Sequence, residues 1–283
     1  MTWTVIARKE FRDASRSKLL WLVVGLFVTF AGGAAYLYAQ IPSFHIGGPS
    51  TEFSAVGLLV FLEWPVTVLV PVIGLLLGYK SIAGEIESGS VKLLLSLPHN
   101  RSAVVLGKLA GRYLVLTVGI IAGFLAASIF VAGSYPTAQV GASIGFVLVT
   151  IGLGWAYISI GTCISALTQS TTRAGALIFG AYFLFGSLWQ PFGRLIHWAT
   201  AGSFSFGFTG PPEWFVIFSR SSPNGAFHGV LSGLLSFAKT DAGLSAFQAD
   251  PFYLSSWVAG LTLVGWVIAP ILIGYLRFAG ADV

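Results

Sequence analysis

Charged side chains are scarce in this chain: Asp, Glu, Lys and Arg supply 9% of its 283 residues, where soluble domains carry about a quarter. An ordinary water-soluble fold is excluded. A lone cysteine, Cys163, rules out an intramolecular disulfide, a thiol relay or a cysteine metal cluster, and gives no reading of redox compartment. With a single methionine beside it, a copper(I) path has no soft lining. The histidines, His45, His99, His197 and His228, form neither H-E-x-x-H nor an i,i+4 pair, so no metal ligand and no catalytic residue is assigned. A G-x-x-x-x-G-K-[ST] loop is missing as well, so this chain does not hydrolyse ATP by P-loop chemistry. The basic excess of +5 lies beside apolar runs instead of on an aromatic-interleaved face, and no nucleic-acid partner is expected.

What fills the sequence is apolar. A membrane crossing takes roughly 20 apolar residues and must be helical, because lipid offers the backbone no hydrogen-bond partner. Six runs qualify: 19–39, 57–79, 113–133, 140–167, 174–190 and 256–276. The expectation is an all-α, multi-pass membrane protein made of one transmembrane domain, 1–283. Lys and Arg set its orientation. Arg8, Lys9, Arg12, Arg16 and Lys18 precede the first run, and Lys80, Lys92, Arg101, Lys108 and Arg112 lie between the second and third, whereas 40–56 and 134–139 hold none. Both termini and the 80–112 segment are therefore read as cytoplasmic, with 191–255 outside. The first run is too long for a signal h-region and lacks a convincing small-residue cleavage site, so it reads as an anchor.

Residues 1–18 read as an amphipathic interface helix on the inner surface: Trp3, Ala7, Phe11 and Ala14 share a stripe, with Arg8, Arg12 and Arg16 elsewhere. A topology anchor on lipid headgroups and a dock for a partner are both open. Gly74/Gly78, Gly119/Gly123 and Gly141/Gly145 are small-xxx-small steps that let helix backbones approach. Ionisable groups inside the apolar runs are nearly absent, which disfavours an ion-coupled carrier. Glu63 is the exception: beside Trp64, and with Pro65 suited to the first turn of a helix beginning there, it fits either a capping position near the outer interface or a gate.

The 80–112 segment is the most organised polar stretch. The second span is expected to run on as a helix through Glu85 and Glu87 until Ser88-Gly89 breaks it. Ser90 can cap a short helix, 91–97, that Pro98 stops, and Asn100 can cap the next, which enters the third span. The short helix carries Val91, Leu93, Leu94, Leu95 and Leu97. Those side chains need cover, from the bilayer surface and neighbouring helices or from a groove on a soluble partner.

The run GEIESGSVKLLLSLPHNRSAVVLGKLAGR resembles the cytoplasmic signature of ABC-2 type permeases: an acidic pair, a Ser-Gly-Ser step, a leucine run ending in Ser-x-Pro, then Arg and Gly-Lys. The opening IARKEFRDASRSK is similar to that family's interface helix. Within the family, the nearest resemblance is to the branch that accompanies copper-site maturation of nitrous-oxide reductase, in part through RSSPNGAFHGVLSGLL at 220–235. The resemblance implies a type V exporter-like permease paired with a second copy of itself and with separate ATP-binding cassette subunits, which would hold the ATP and magnesium. No cofactor is bound by this chain. It also implies that Ser90–Leu97 is a coupling helix seated on the ATPase, with Glu85, Glu87, Gly89, Ser90, Leu93, Leu94, Leu95, Pro98 and Arg101 as coupling residues. A non-transporting force-transmitting or scaffold subunit, and a secondary transporter, are the alternatives.

Outside, 191–255 is expected to hold short interfacial helices, one around Trp189, Phe192, Ile196 and Ala199 and another over 223–238, either as a lid or as an exit gate or dock for an extracytoplasmic partner. A seam between two copies is assigned to the first and fifth spans, on Gly25, Gly32, Gly33, Gly175, Gly180 and Ala181; the alternative is packing within one subunit.

Overall fold

The computed structural model describes residues 18–41, 55–89, 101–134, 140–168, 170–206, 210–241, 252 and 255–279. The described residues are helical, with no strand among them. In chain order the helices are α1 (Lys18–Gln40), α2 (Ala55–Gly78), α3 (Ala83–Glu87), α4 (Arg101–Ser134), α5 (Val140–Thr168), α6 (Thr171–Phe183), a π turn (Leu184–Leu188), α7 (Trp189–Ala201), α8 (Glu213–Ser221), α9 (Pro223–Asp241) and α10 (Ser256–Ala279). Among the described residues five helices are long and apolar enough to cross a membrane, namely Leu20–Gln40, Val56–Glu87, Leu106–Ile129, Val140–Thr168 and Ser256–Arg277. The other expected span, 174–190, runs through α6, the π turn and the start of α7, each too short to cross alone.

α5 is the hub. Its apolar residues run all the way round the helix; Phe146, Leu153, Ala156, Tyr157 and Ile158 have no exposure, while Val140, Ile144 and Leu148 leave one side of its first half open. α2, α4, α9 and α10 pack around it, and α1 lies along α4. Glycine sets how closely these axes approach. A Cβ added at Gly78 would lie 2.8 Å from both Cα and C of Gly161, and one added at Gly74 would lie 2.8 Å from the Cβ of Tyr157. α2 and α5 thus touch backbone to backbone, the contact that substitutes for a hydrophobic drive in lipid. Gly123 likewise meets the carbonyl oxygen of Phe27 in α1 at 2.7 Å, and Gly145 meets Leu234 of α9 at 2.7 Å. Gly25, Gly33, Gly141, Gly175 and Gly180 face nothing within 4 Å.

Two sequence expectations change. Pro65 does not open a helix: α2 starts ten residues earlier at Ala55, and Pro65 and Pro71 both lie inside it. Each removes one i→i−4 donor, and Thr67 Oγ1 donates to the Trp64 carbonyl at 2.7 Å, holding the turn together. The second span does not run straight through Glu85 either. α2 ends at Gly78, a turn follows, and α3 begins again at Ala83 before Gly89 closes it with φ 73°. The reason is a tertiary acceptor: Ser165 Oγ of α5 takes the N–H groups of Ile82 at 3.1 Å and Ala83 at 2.9 Å, as an N-cap would.

Beyond the π turn, Gly202 ends α7 in the left-handed conformation, φ 70°, with its N–H on the Trp198 carbonyl at 2.8 Å. A helix that the sequence did not announce, α8, then pairs with α9 as a hairpin. Ser222 caps α9 by accepting the Gly225 N–H at 3.0 Å, with Pro223 at its first position. Gly78→Ala should cost about 1–3 kcal/mol, the usual range for overpacking, while Gly25→Ala should gain up to about 1 kcal/mol, because a Cβ there meets nothing within 4 Å and alanine is the better helix former. Denaturant unfolding in micelles compares the two.

Candidate coupling elbow and outer cleft

Polar chemistry gathers at the two ends of the bundle. At one end the turn after α2 and the short α3 form an elbow. Lys108 of α4 pairs with Glu85 of α3, the lysine side chain 9% exposed and the glutamate 23%. One turn further along α4, the Arg112 guanidinium donates to the carbonyls of Leu77 and Gly78, the latter at 3.2 Å. It thereby satisfies orphan acceptors and neutralises the negative end of α2. Glu87 receives the N–H of Thr171 at 3.1 Å and the Thr171 hydroxyl as well, placing a carboxylate on the N-terminus of α6. With Ser165 holding Ile82 and Ala83, the elbow is strapped to α4, α5 and α6.

The structure thus brings Glu85 and Glu87 together with partners that sequence reasoning did not nominate as site residues: Lys108, Arg112, Ser165 and Thr171. Lys108 stood in the Gly-Lys step of the signature, but nothing in the sequence singles out Ser165. Gly89 ends α3. Ser90, Leu93, Leu94, Leu95 and Pro98 lie outside the described residues, as do Trp3, Phe11 and Arg12 of the expected interface helix. Arg101 opens α4, and its side chain is not described.

At the opposite end Glu63, a third of the way along α2, pairs with His228 of α9. Tyr157 of α5 donates to Asn224 Oδ1 at 2.9 Å, so the first turn of α9 is tied to the hub as well. Trp189 stacks on Phe218 with centroids 4.7 Å apart and donates its indole N–H to the Phe218 carbonyl at 2.8 Å. Trp266 of α10 donates to the Ser221 carbonyl at 2.7 Å. These contacts frame a cleft of about 480 Å³ lined by Trp64, Thr67, Tyr182, Ser187, Asn224 and His228 among others. The π turn borders it, and π turns break the regular carbonyl ladder and often sit at functional positions. Among the described residues no group of three or more His, Cys, Asp or Glu could hold a metal.

Long apolar helices around a glycine-packed hub, with ion pairs at an elbow and at a capped hairpin, define a multi-pass membrane protein. The sequence profile of the ABC-2 family transporter proteins matches residues 4–283, and the chain belongs to that family. Two curated relatives carry the name probable ABC transporter permease protein NosY. The one from Stutzerimonas stutzeri is 33% identical over 187 residues, covering 64% of this chain and 65% of the relative. The one from Pseudomonas aeruginosa is 30% identical over 192 residues, covering 65% and 66%. In each case the match spans just under two thirds of the relative's length. Family membership places the protein in the cell membrane as a multi-pass chain.

The elbow pair lies between the surface and buried limits for ion pairs, so a double-mutant cycle on Glu85→Gln and Lys108→Met should return a coupling of about 1–2 kcal/mol. Unfolding of the four variants in micelles measures it, and a coupling near zero would show that the pair does not hold the elbow.

Proposed function

We propose that this chain is the membrane-spanning permease subunit of an ATP-driven exporter, in which closure of a separate ATP-binding cassette dimer pushes on a cytoplasmic coupling helix at 90–97. The observation that carries the reading is the double anchoring of the elbow. The proposed helix at 90–97 would have two neighbours in the chain, α3 before it and α4 after it, and Glu85–Lys108 joins those two. A push on the segment would therefore move both flanks as a unit. Through the glycine contacts of α2 on α5 the displacement would pass to the hub, and through Glu63–His228 and Tyr157–Asn224 to the α8–α9 hairpin at the far end. That is rigid-body transmission along packed helices. On this reading six segments cross the bilayer, 174–190 included, both termini are cytoplasmic, and 191–255 is extracytoplasmic. Residues 1–18 would lie on the inner surface, and ATP and magnesium would sit in the partner.

Two copies of the chain would complete the pathway. Support comes from the faces left open: Gly25 and Gly33 on α1 and Gly180 on α6 meet nothing within 4 Å, and Leu177, Leu184 and Leu188 are exposed beside Gly180. The NosY relatives fit the branch noted from the sequence, and we extend to this chain a role in copper-site maturation of nitrous-oxide reductase. Force transmission without cargo is a second reading. It is favoured by the hairpin, which is tied to α2, α5 and α10 and would hand a displacement to an extracytoplasmic partner. Glu63 would then hold the hairpin in place instead of contacting a substrate.

A charge at Leu94 would have to be desolvated when the coupling helix seats, costing on the order of several kcal/mol. Leu94→Asp should therefore insert and assemble normally yet abolish the transport-linked part of ATP hydrolysis in the reconstituted complex. Undiminished activity in that variant would end the coupling assignment. Native mass measurement in nanodiscs should find two permease chains per complex, and cysteines at Gly25 or Gly180 should crosslink between copies. An active particle with one chain would refute the pairing, whereas failed crosslinks alone would move the seam.

A further inference from the structure

Between the elbow ends of α2 and α6 runs a groove of about 390 Å³ whose walls are almost wholly apolar: Val72, Leu75 and Leu76 on one side, Gly175, Ile178 and Phe179 on the other. Tyr79 closes the end nearest the elbow, and the Lys80 ammonium stands 5.2 Å from the centre of that ring. Lys80 is exposed, and among the described residues no carboxylate lies within ion-pair distance of it. The nearby Glu87 carboxylate is already engaged by Thr171. Arg173, two residues before Gly175, is exposed at the same end of α6 but lies about 160° round the helix from the groove, so Lys80 is the cation at its mouth.

We propose that this groove holds one acyl chain of an anionic phospholipid whose headgroup phosphate is bound by Lys80. Charge and shape argue for the same occupant. The walls run from Val72 to Tyr79, about 10 Å at the helical rise, against the roughly 15 Å of hydrocarbon that one leaflet provides. An acyl chain laid along them reaches water where Lys80 stands, and basic side chains at the membrane surface attract anionic headgroups. Gly175 makes the room, because a Cβ there would meet nothing within 4 Å. A second copy of the chain does not compete for this place. Gly175 and Gly180 are five residues apart, which at 3.6 residues per turn puts them about 140° apart around α6. The groove and the proposed seam are therefore on different faces. The proposal takes only the leaflet, cytoplasmic, from the orientation given above.

The test is native mass spectrometry of the full chain released from nanodiscs of equal phosphatidylglycerol and phosphatidylcholine with matched acyl chains. The wild-type chain should retain phosphatidylglycerol over phosphatidylcholine by about tenfold, a difference of roughly 1.4 kcal/mol. Lys80→Gln should bring the ratio close to parity, and Lys80→Arg should keep it. Gly175→Phe places its Cβ in open space and its ring in the groove, and should lower retention of both lipids. Unchanged ratios in Lys80→Gln, unchanged retention in Gly175→Phe, or separation of a two-copy particle by Gly175→Phe with its lipid still bound would each overturn the assignment. No ATPase takes part in the measurement, so its failure would leave the coupling role standing, and uncoupling by Leu94→Asp would leave the lipid site standing.

Discussion

Close packing of α2 on α5 is the constraint on which the rest depends. Apolar side chains gain little by meeting each other when the alternative is an equally apolar lipid tail, so helices hold together by close contact and by polar groups that find partners. Gly74 and Gly78 on one helix and Gly161 on the other remove side chains from the seam, and backbone meets backbone, while Gly154 makes room for Leu116 of α4. Such a contact leaves almost no freedom to slide, since any added atom would sit under 3 Å from main chain at Gly78 and Gly161. Tight packing of this kind makes two helices one mechanical body. α1 and α4 form a second such body through Gly119 and Gly123 against Val23 and Phe27.

The polar groups join these bodies. Tyr113 and Thr117 of α4 meet Ser159 and Trp155 of α5 by hydrogen bonds, with the Tyr113 and Trp155 rings stacked 4.8 Å apart. Arg112 sits one residue before that cluster and grips the end of α2. The three helices α2, α4 and α5 therefore converge at the elbow, each tied to the other two. Satisfied polar pairs in a low-dielectric setting rigidify and favour a single arrangement, and beside them Ser81 Oγ in the elbow turn and Thr162 Oγ1 of α5 are buried without a hydrogen-bond partner among the described residues. Charge scarcity, the first feature of the sequence, bears on the same point: Glu85, Lys108, Arg112, Glu87 and Glu63 are each placed at a joint between helices.

Much of this was legible, and the reasons for the rest are physical. Hydropathy found the five long helices because a membrane crossing demands a long unbroken apolar run. The glycine steps at 74/78 and 119/123 were legible as helix contacts because only the absence of a side chain permits them. Pro65 misled, since a proline inside a helix is tolerated in a bundle where neighbouring groups repair the ladder, and the sequence does not say which neighbour will do so. The break at Gly78 was invisible for a related reason: it depends on Ser165, 83 residues from Ile82. The pairing of Glu63 with His228 spans 165 residues and could not be read from either local pattern. α8 was hidden because EWFVIFSRS is short, and its aromatic stripe, Trp214, Phe215 and Phe218, has meaning only against Trp189 and the other half of the hairpin.

Glycine carries opposite meanings on the two sides of this bundle, and the geometry separates them. Where a glycine faces another backbone, as at Gly78, it records a contact already made within the chain. Where it faces open space on an otherwise apolar helix, as at Gly25, Gly175 and Gly180, no internal contact explains the missing side chain. Helix entropy argues against glycine at such positions by about 1 kcal/mol relative to alanine. On α6 the two open glycines point in different directions and meet different chemistry. Gly175 opens into a groove that ends at a lysine, whereas Gly180 sits among Leu177 and Leu184, with Arg173 two turns away at the end of that strip. A charged mouth suits a lipid headgroup, and a strip of leucine around a glycine suits the backbone of another helix. One short helix can therefore serve the bilayer on one face and a second subunit on the other.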